Sequence, residues 1–238
     1  MREYYDTYYV ANNMALILTG DIYPDEILPL IEAKFGVWKS GEIPAPIDIT
    51  EQSFNGREKI SRRMTPIKIG IMGYRTVPVG HDDEGALALS LQLLTNESKT
   101  GLIDQLVVDR KIMEAGAFNM DYVDMGAANF FFLPKLFFQS LTKAENLVRG
   151  QIEKLKSGDF DDEYFNAVKL TMLRQHEEYI ESMEGRLFIL TDLFIKNKTW
   201  EDIVEWPGII KNISKEEVME VANTYFDDDY LVLHSKMG

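Results

Sequence analysis

The 238-residue chain has no cysteine. Disulfides, thiolate catalysis and Cys-ligated zinc or iron–sulfur sites are therefore excluded, while the compartment stays open. Histidine is scarce, at three residues, so few imidazole-based sites can be built. Basic clusters are nearly absent, limited to doublets such as Arg62-Arg63, and the net charge is −14. Nucleic acid needs concentrated Lys and Arg, so it is not an expected partner. Such acidity serves solubility and also attracts basic peptides. The longest apolar runs, such as Phe130–Leu133 and Leu187–Leu190, are far short of a membrane span. No Gly-x-Ser-x-Gly elbow, phosphate loop or dinucleotide fingerprint occurs, and Met1-Arg2-Glu3-Tyr4 does not open a signal peptide.

What is present is enough apolar and aromatic sequence, 45% and 11%, for a sizeable core. Tyr8-Tyr9-Val10-Ala11-Asn12-Asn13-Met14 runs into Ala15-Leu16-Ile17-Leu18-Thr19-Gly20-Asp21. This reads as a helix end, a strand at Met14–Thr19 and a Gly-Asp turn. A weaker copy closes the chain at Tyr225-Phe226-Asp227-Asp228-Asp229-Tyr230-Leu231-Val232-Leu233-His234. An arrangement met twice suggests two related modules, with the tail of one and most of a second present here.

A helix follows at about Asp25–Phe35, started by Pro24 and stopped by Gly36. Gly36 to Ser61 is the linker candidate, rich in Gly and Pro and without periodicity. Alternation at Ile67, Ile69 and Ile71 marks a strand. Helices are expected at Asp82–Leu94 and Leu102–Asp109. Strands at Ala115–Tyr122 and Ala128–Leu133 are joined by a turn at Asp124-Met125-Gly126. Ala144, Leu147, Val148, Ile152 and Leu155 fall at helical spacing within Leu141–Leu155, and the pattern continues over Asp161–Met183 and Arg186–Ile195. Trp200–Trp206 reads as a short helix or turn broken by Pro207-Gly208. Ser214-Lys215-Glu216-Glu217 has the form of a capping box, and a last strand covers Tyr230–His234. The expected fold is α+β, a mixed, largely antiparallel sheet with helices layered on one face.

No residue set makes a self-contained active site. His81-Asp82-Asp83-Glu84-Gly85 is an inverted zinc-peptidase motif, His-x-x-Glu-His, whose second histidine is replaced by Gly85. It reads better as an acidic helix start favoured by the helix dipole. His176 lies on a charged helix and reads as part of a solvated face. His234, in the last strand, has no evident partner. Asp227-Asp228-Asp229 reads as a solvated turn and not as a calcium loop. Gly70 and Gly73 sit inside a strand and read as close packing, and Phe130-Phe131-Phe132 as core. No catalytic, cofactor-binding or metal residue is assigned.

Several segments together resemble the M16 metallopeptidases, the group of pitrilysin, insulin-degrading enzyme and mitochondrial processing peptidase. Tyr8–Asp21, Pro24–Glu32 and Phe35-Gly36 are similar to the end of an M16 first domain. Asp82–Leu87 through Leu93-Leu94, then Gly101–Leu106, are similar to the first helices of the next domain. Ile213–Val218 and Val221–Phe226 are similar to its closing helix and strand. The resemblance implies that residues 1–45 are the C-terminal strand and helix of a preceding M16-type domain plus the start of a linker. Residues 46–238 would be a second, inactive M16-type domain. It further implies a catalytically silent domain of a zinc-dependent peptidase, enclosing and holding peptide for a zinc-bearing domain in the same parent chain or in a partner subunit. No cofactor is expected in these residues, zinc belonging to that other domain, whose zinc-bound water would attack the scissile carbonyl.

The Arg and Tyr that many members place near substrate align with Val107 and Met113, neither able to hydrogen-bond a peptide carbonyl. Arg110 lies roughly 300 degrees further round a helix and is not assigned the role. Peptide could add to a sheet edge at Met14–Thr19 or Phe130–Leu133. Residues 1–40 are expected to self-associate through an unpaired strand edge, which makes a homo-oligomer possible. Two other classes stay open: a non-enzymatic assembly or scaffold subunit related to processing-peptidase core subunits, and an unrelated metal enzyme using His81 or His234.

Overall fold

A computed structural model describes residues 1–45 and 53–238. They form two compact units, one of residues 1–52 with 177–198 and one of residues 53–176 with 199–238.

The first unit carries α1 (Arg2–Tyr8), a 3-10 turn (Ala11–Asn13) and α2 (Pro24–Phe35). It also takes the last turn of α6 (Asp162–Glu181) and all of α7 (Met183–Lys196). Pro24 opens α2 and Gly36 closes it, as the residue types require. Asn12 ties the turn to Gly41 twice, its amide donating to the Gly41 carbonyl (3.0 Å) and its Oδ1 accepting from the Gly41 N–H (2.9 Å).

Met14–Thr19 is not a strand. The apolar run that predicts one is real, but Met14, Leu16 and Leu18 are exposed. A strand is defined by ladder hydrogen bonds, and the described residues of this unit contain no other strand to supply them.

The second unit is built on β1 (Arg57–Thr65), β2 (Ile69–Thr76), β3 (Glu114–Asp121), β4 (Gly126–Leu133) and β5 (Tyr230–Met237). They form one sheet in the order β1-β5-β2-β4-β3. Only β1 and β5 run parallel; the other pairs are antiparallel. The α+β class with a mixed, largely antiparallel sheet is therefore the observed fold. Two bounds shift. β1 begins inside the expected linker, whose residues 46–52 lie outside the described residues, and β5 runs three residues past His234. The short β1 pattern was hidden because nearly all its side chains are exposed, polar or apolar alike.

α3 (Glu84–Leu94), α4 (Asp104–Val108), α5 (Leu141–Ser157), α8 (Trp200–Asn212) and α9 (Lys215–Tyr225) complete this unit together with most of α6. α3 and α4 pack on β3, α5 on β4 and β2, and α9 on β2. Between them lies a core containing Met72, Tyr74, Phe130, Phe132, Phe226 and Val232, all nearly or fully buried. The Tyr74 ring meets Phe130, Phe226 and Tyr230 at 5.1–5.8 Å between centroids, within the range of favourable aromatic pairing. A Cβ on Gly70 would lie 2.1 Å from the Phe132 ring, so close packing is indeed what that glycine provides.

α8 does not break at Pro207. Proline removes the N–H that would bond the Ile203 carbonyl four residues back, but His176 Nε2 sits 3.1 Å from that oxygen. The His176 ring also stacks on Trp206, with centroids 4.7 Å apart. His176 is thus half-buried and engaged, not part of a solvated face. α4 is shorter than expected, and Arg110 lies beyond it at φ 54. The amides of Lys111 and Ile112 turn back to the Leu106 carbonyl, which closes the helix and removes the helical geometry assumed for Arg110.

Candidate functional site

The most concentrated polar chemistry is a buried cluster around Glu145. Its α5 stripe, Leu141, Ala144, Val148, Ile152 and Leu155, is buried, and Glu145 stands in it at 1% exposure. Arg57 of β1 clamps it, Nε donating to Oε1 at 2.5 Å and Nη2 to Oε2 at 2.7 Å. The Tyr230 hydroxyl donates to Oε1 at 2.8 Å. His234 Nε2 lies 2.9 Å from Oε2, and because a carboxylate only accepts, that nitrogen carries the proton.

Burial pushes the Glu145 carboxyl up. The hydrogen bonds from Arg57, His234 and Tyr230, with the Arg57 charge, outweigh it and hold the carboxyl at about 2. Its bond to Glu145 raises Arg57 against the opposing effect of burial. Burial, then the Glu145 carboxylate, pushes Tyr230 up to about 12. With both carboxylate oxygens accepting two bonds each, the acceptor sites are filled. The cluster fastens α5 to β1 and β5 and has no free position for a substrate or ion. Sequence patterning overlooked Glu145 and Arg57. The available signal was a carboxylate inside an apolar helical stripe, which demands a buried partner.

The other sequence candidates are dispersed. His81 Nδ1 accepts from the Asp83 amide at 3.1 Å, and Glu84 accepts from the Gly80 amide at 2.8 Å. Both serve the turn that starts α3. Gly85 is packed against Ile209 and Ile213 of the neighbouring helix end. Asp82, Asp83, Glu217 and Glu220 line a cleft of about 410 Å³, and Tyr225 donates to Asp83 at 2.6 Å. In the Asp227–Asp229 turn, Asp228 pairs with Arg149, Asp229 accepts from the Gly56 amide, and Asp227 accepts from Asp229. Val107 is half-buried against the core, and Met113 is exposed just before β3, its amide bonded to the Leu133 carbonyl.

Opposite the helical layer, the second unit's sheet presents an apolar face. Ile60, Leu233, Ile71, Phe131 and Gly116 are successive register partners, a row crossing all five strands. Register partners share a face, and their sequence neighbours Met72, Phe130, Ala115 and Val232 fill the core. Ile60 and Ile71 are exposed, Leu233 and Phe131 partly so. The Phe131 ring lies over Gly116, where a Cβ would approach it to 2.6 Å. Phe118 and Met120 extend the face along β3. The expected edge at Phe130–Leu133 is overturned, because β4 is paired on both sides. Ladder groups already bonded cannot accept an added strand. The free edges are β1, which carries Lys59, Arg62 and Arg63, and β3.

The model of the peptidase M16 inactive domain matches residues 1–172. The chain belongs to this family. Its fold is that of a protease from Helicobacter pylori, at 19% identity and TM-score 0.85, covering 99% of this chain and 58% of that one. It is also that of the periplasmic protease PqqL from Escherichia coli, at 16% identity and TM-score 0.73, covering 100% of this chain and 28% of that one. A peptidase M16 inactive domain from Pseudomonas fluorescens follows at 11% identity and TM-score 0.73, covering 92% and 52%. No curated protein matches. The M16 chain thus spans less than two-thirds of these solved relatives.

Zinc, which the family implies, needs three convergent protein donors in a catalytic site. Among the described residues no group of three His, Asp or Glu is placed to hold a metal. Glu145 is saturated by Arg57, Tyr230 and His234. The described residues do not fit the ion.

Proposed function

We propose that this chain is a catalytically silent part of a zinc-dependent M16-type peptidase. It encloses and holds peptide for a zinc-bearing domain outside these residues. Residues 1–45 are read as the end of a preceding M16-type domain and residues 46–238 as the inactive second domain. The observation that carries the holding role is the apolar row Ile60–Leu233–Ile71–Phe131 on the sheet face opposite the helices. Contiguous exposed apolar surface of this kind marks a binding face, and an extended peptide offers alternate side chains to such a surface.

The test is binding of fluorescein-labelled peptides to the full chain by anisotropy, with Ile71→Asp placing a charge in the middle of the row. Saturable binding that Ile71→Asp weakens at least about tenfold supports the reading. Binding that Ile71→Asp leaves unchanged, in a variant that stays folded, overturns it. Turnover of the same peptides with added zinc would overturn the silent assignment.

A second reading, an assembly subunit, is favoured by Met14, Leu16 and Leu18. They alternate like a strand and lie exposed, which suits addition to a sheet that a partner supplies.

A further inference from the structure

After β4 the chain passes Pro134 and turns through Lys135–Phe138 before Ser140 caps α5. Leu136, Phe137 and Phe138 stand exposed at 58%, 76% and 105%. Three successive large apolar side chains in water contribute nothing to the core. The backbone beneath them is nevertheless firmly held. The buried Gln139 side chain accepts from the Lys135 amide at 2.6 Å and donates to the Lys111 carbonyl at 2.9 Å. Lys68 Nζ donates to the Gln139 carbonyl at 3.2 Å.

Phe138 has φ 65, a left-handed conformation that is costly for a bulky aromatic and that Gly or Asn adopts more easily. Its ring touches only the neighbouring, equally exposed Phe137 ring, with centroids 6.4 Å apart, and a strained aromatic so placed points to an external contact. Lys135 stands exposed in this tip and the Lys68 ammonium reaches the Gln139 carbonyl beneath it, in a chain of net charge −14. The tip also continues the apolar sheet face: Leu133 ends β4 on that face, and Met113 is bonded to it.

We propose that the Leu136–Phe138 tip is a substrate-selecting contact, taking bulky apolar side chains of a peptide while Lys135 takes an adjacent carboxylate. This rests on the peptide-holding role proposed above. A lipid surface would meet the three apolar residues and Lys135 equally, but not the continuity with the half-exposed sheet face, which only an extended ligand can follow.

The test uses the full chain and two labelled peptides of equal length, one with Phe and Leu flanked by Asp, the other with Ser in place of Phe and Leu. Anisotropy is read at low and high salt. The expected result is about tenfold tighter binding of the apolar peptide. That preference is lost in Phe137→Ser/Phe138→Ser. In Lys135→Glu the apolar peptide binds a few-fold more weakly, at low salt only. Phe138→Asn, which suits the left-handed backbone, keeps the fold and separates contact from folding. If Ile71→Asp abolishes binding while the Phe variants and the Ser peptide bind as tightly as their counterparts, the tip is overturned and the holding role stands. If neither peptide binds, both fall. Tip-dependent binding to phosphatidylglycerol vesicles without peptide binding would make the tip a lipid contact and overturn the proposal.

Discussion

His176 Nε2 stands where the missing amide of Pro207 would be, 3.1 Å from the Ile203 carbonyl. A side chain from α6 thus completes the hydrogen bonding of α8 across its proline and holds Trp206 by stacking at 4.7 Å. Both contacts lie within the second unit. His176→Ala should cost about 1–3 kcal/mol, the penalty of an orphaned carbonyl plus lost ring contact. In Pro207→Ala the backbone regains its own donor, so His176→Ala should cost less there. Equal costs in urea unfolding of the two backgrounds would show that the pair is not coupled.

Glu145 sets an acid limit on stability. Its folded pKa, about 2 against 4.5 for the free side chain, is depressed. The stabilisation is therefore complete above about pH 4.5 and disappears as pH falls towards 2, a loss of about 3 kcal/mol. Glu145→Gln should be destabilised at neutral pH, by about 3–5 kcal/mol, since it leaves Arg57 without its counter-charge, and should show a flatter acid limb. A wild-type acid limb retained in Glu145→Gln would refute the assignment.

Tyr230 contributes to the opposite limb. Its pKa is raised to about 12 from 10, so the folded state keeps a proton that the unfolded state releases. Stability falls as pH rises from about 10 to 12. Tyr230→Phe should reduce this dependence, leaving the part owed to Tyr74, Tyr164 and Tyr225, which burial also raises, at a cost of about 1 kcal/mol at neutral pH, read by denaturant melts across the range.

Gly70 and Gly73 share β2 but differ in surroundings. A Cβ at Gly70 would meet the Phe132 ring at 2.1 Å, while one at Gly73 would meet Asn129 Oδ1 at 3.2 Å. Gly70→Ala should lose about 1–3 kcal/mol by overpacking, and Gly73→Ala clearly less. The reverse order in chemical denaturation would contradict the β2–β4 register.

Leu16 lies in a largely exposed apolar run without a ladder partner among the described residues of its unit. Wild-type protein should self-associate at high concentration, and Leu16→Lys should reduce this by charging the stretch. Concentration-independent monomer mass in light scattering would remove this route to a homo-oligomer.

Much of the secondary structure was legible because its signals are local. Ser214 and Glu217 form the capping box their spacing announces, each bonded to the other's backbone. The period-2 pattern of β2 and the i, i+3, i+4 stripe of α5 likewise follow from residues a few positions apart. The failures share one cause. Met14–Thr19 has a strand's pattern but no neighbour, β1 has a neighbour but no pattern, and α8 crosses a proline that should stop it. In each case the deciding group lies far away in sequence.

The sequence by itself determined the class of fold, the family resemblance and the absence of cysteine chemistry, because side-chain type and periodicity dictate these directly. Only the tertiary structure decided that Arg57, Glu145, Tyr230 and His234 form one saturated cluster, and that Ile60, Leu233, Ile71 and Phe131 line up across the sheet. The physical reason is that a buried charge is tolerable only beside its partners, and a sheet face exists only once strands are in register. Which strands pair is settled by packing of the whole core.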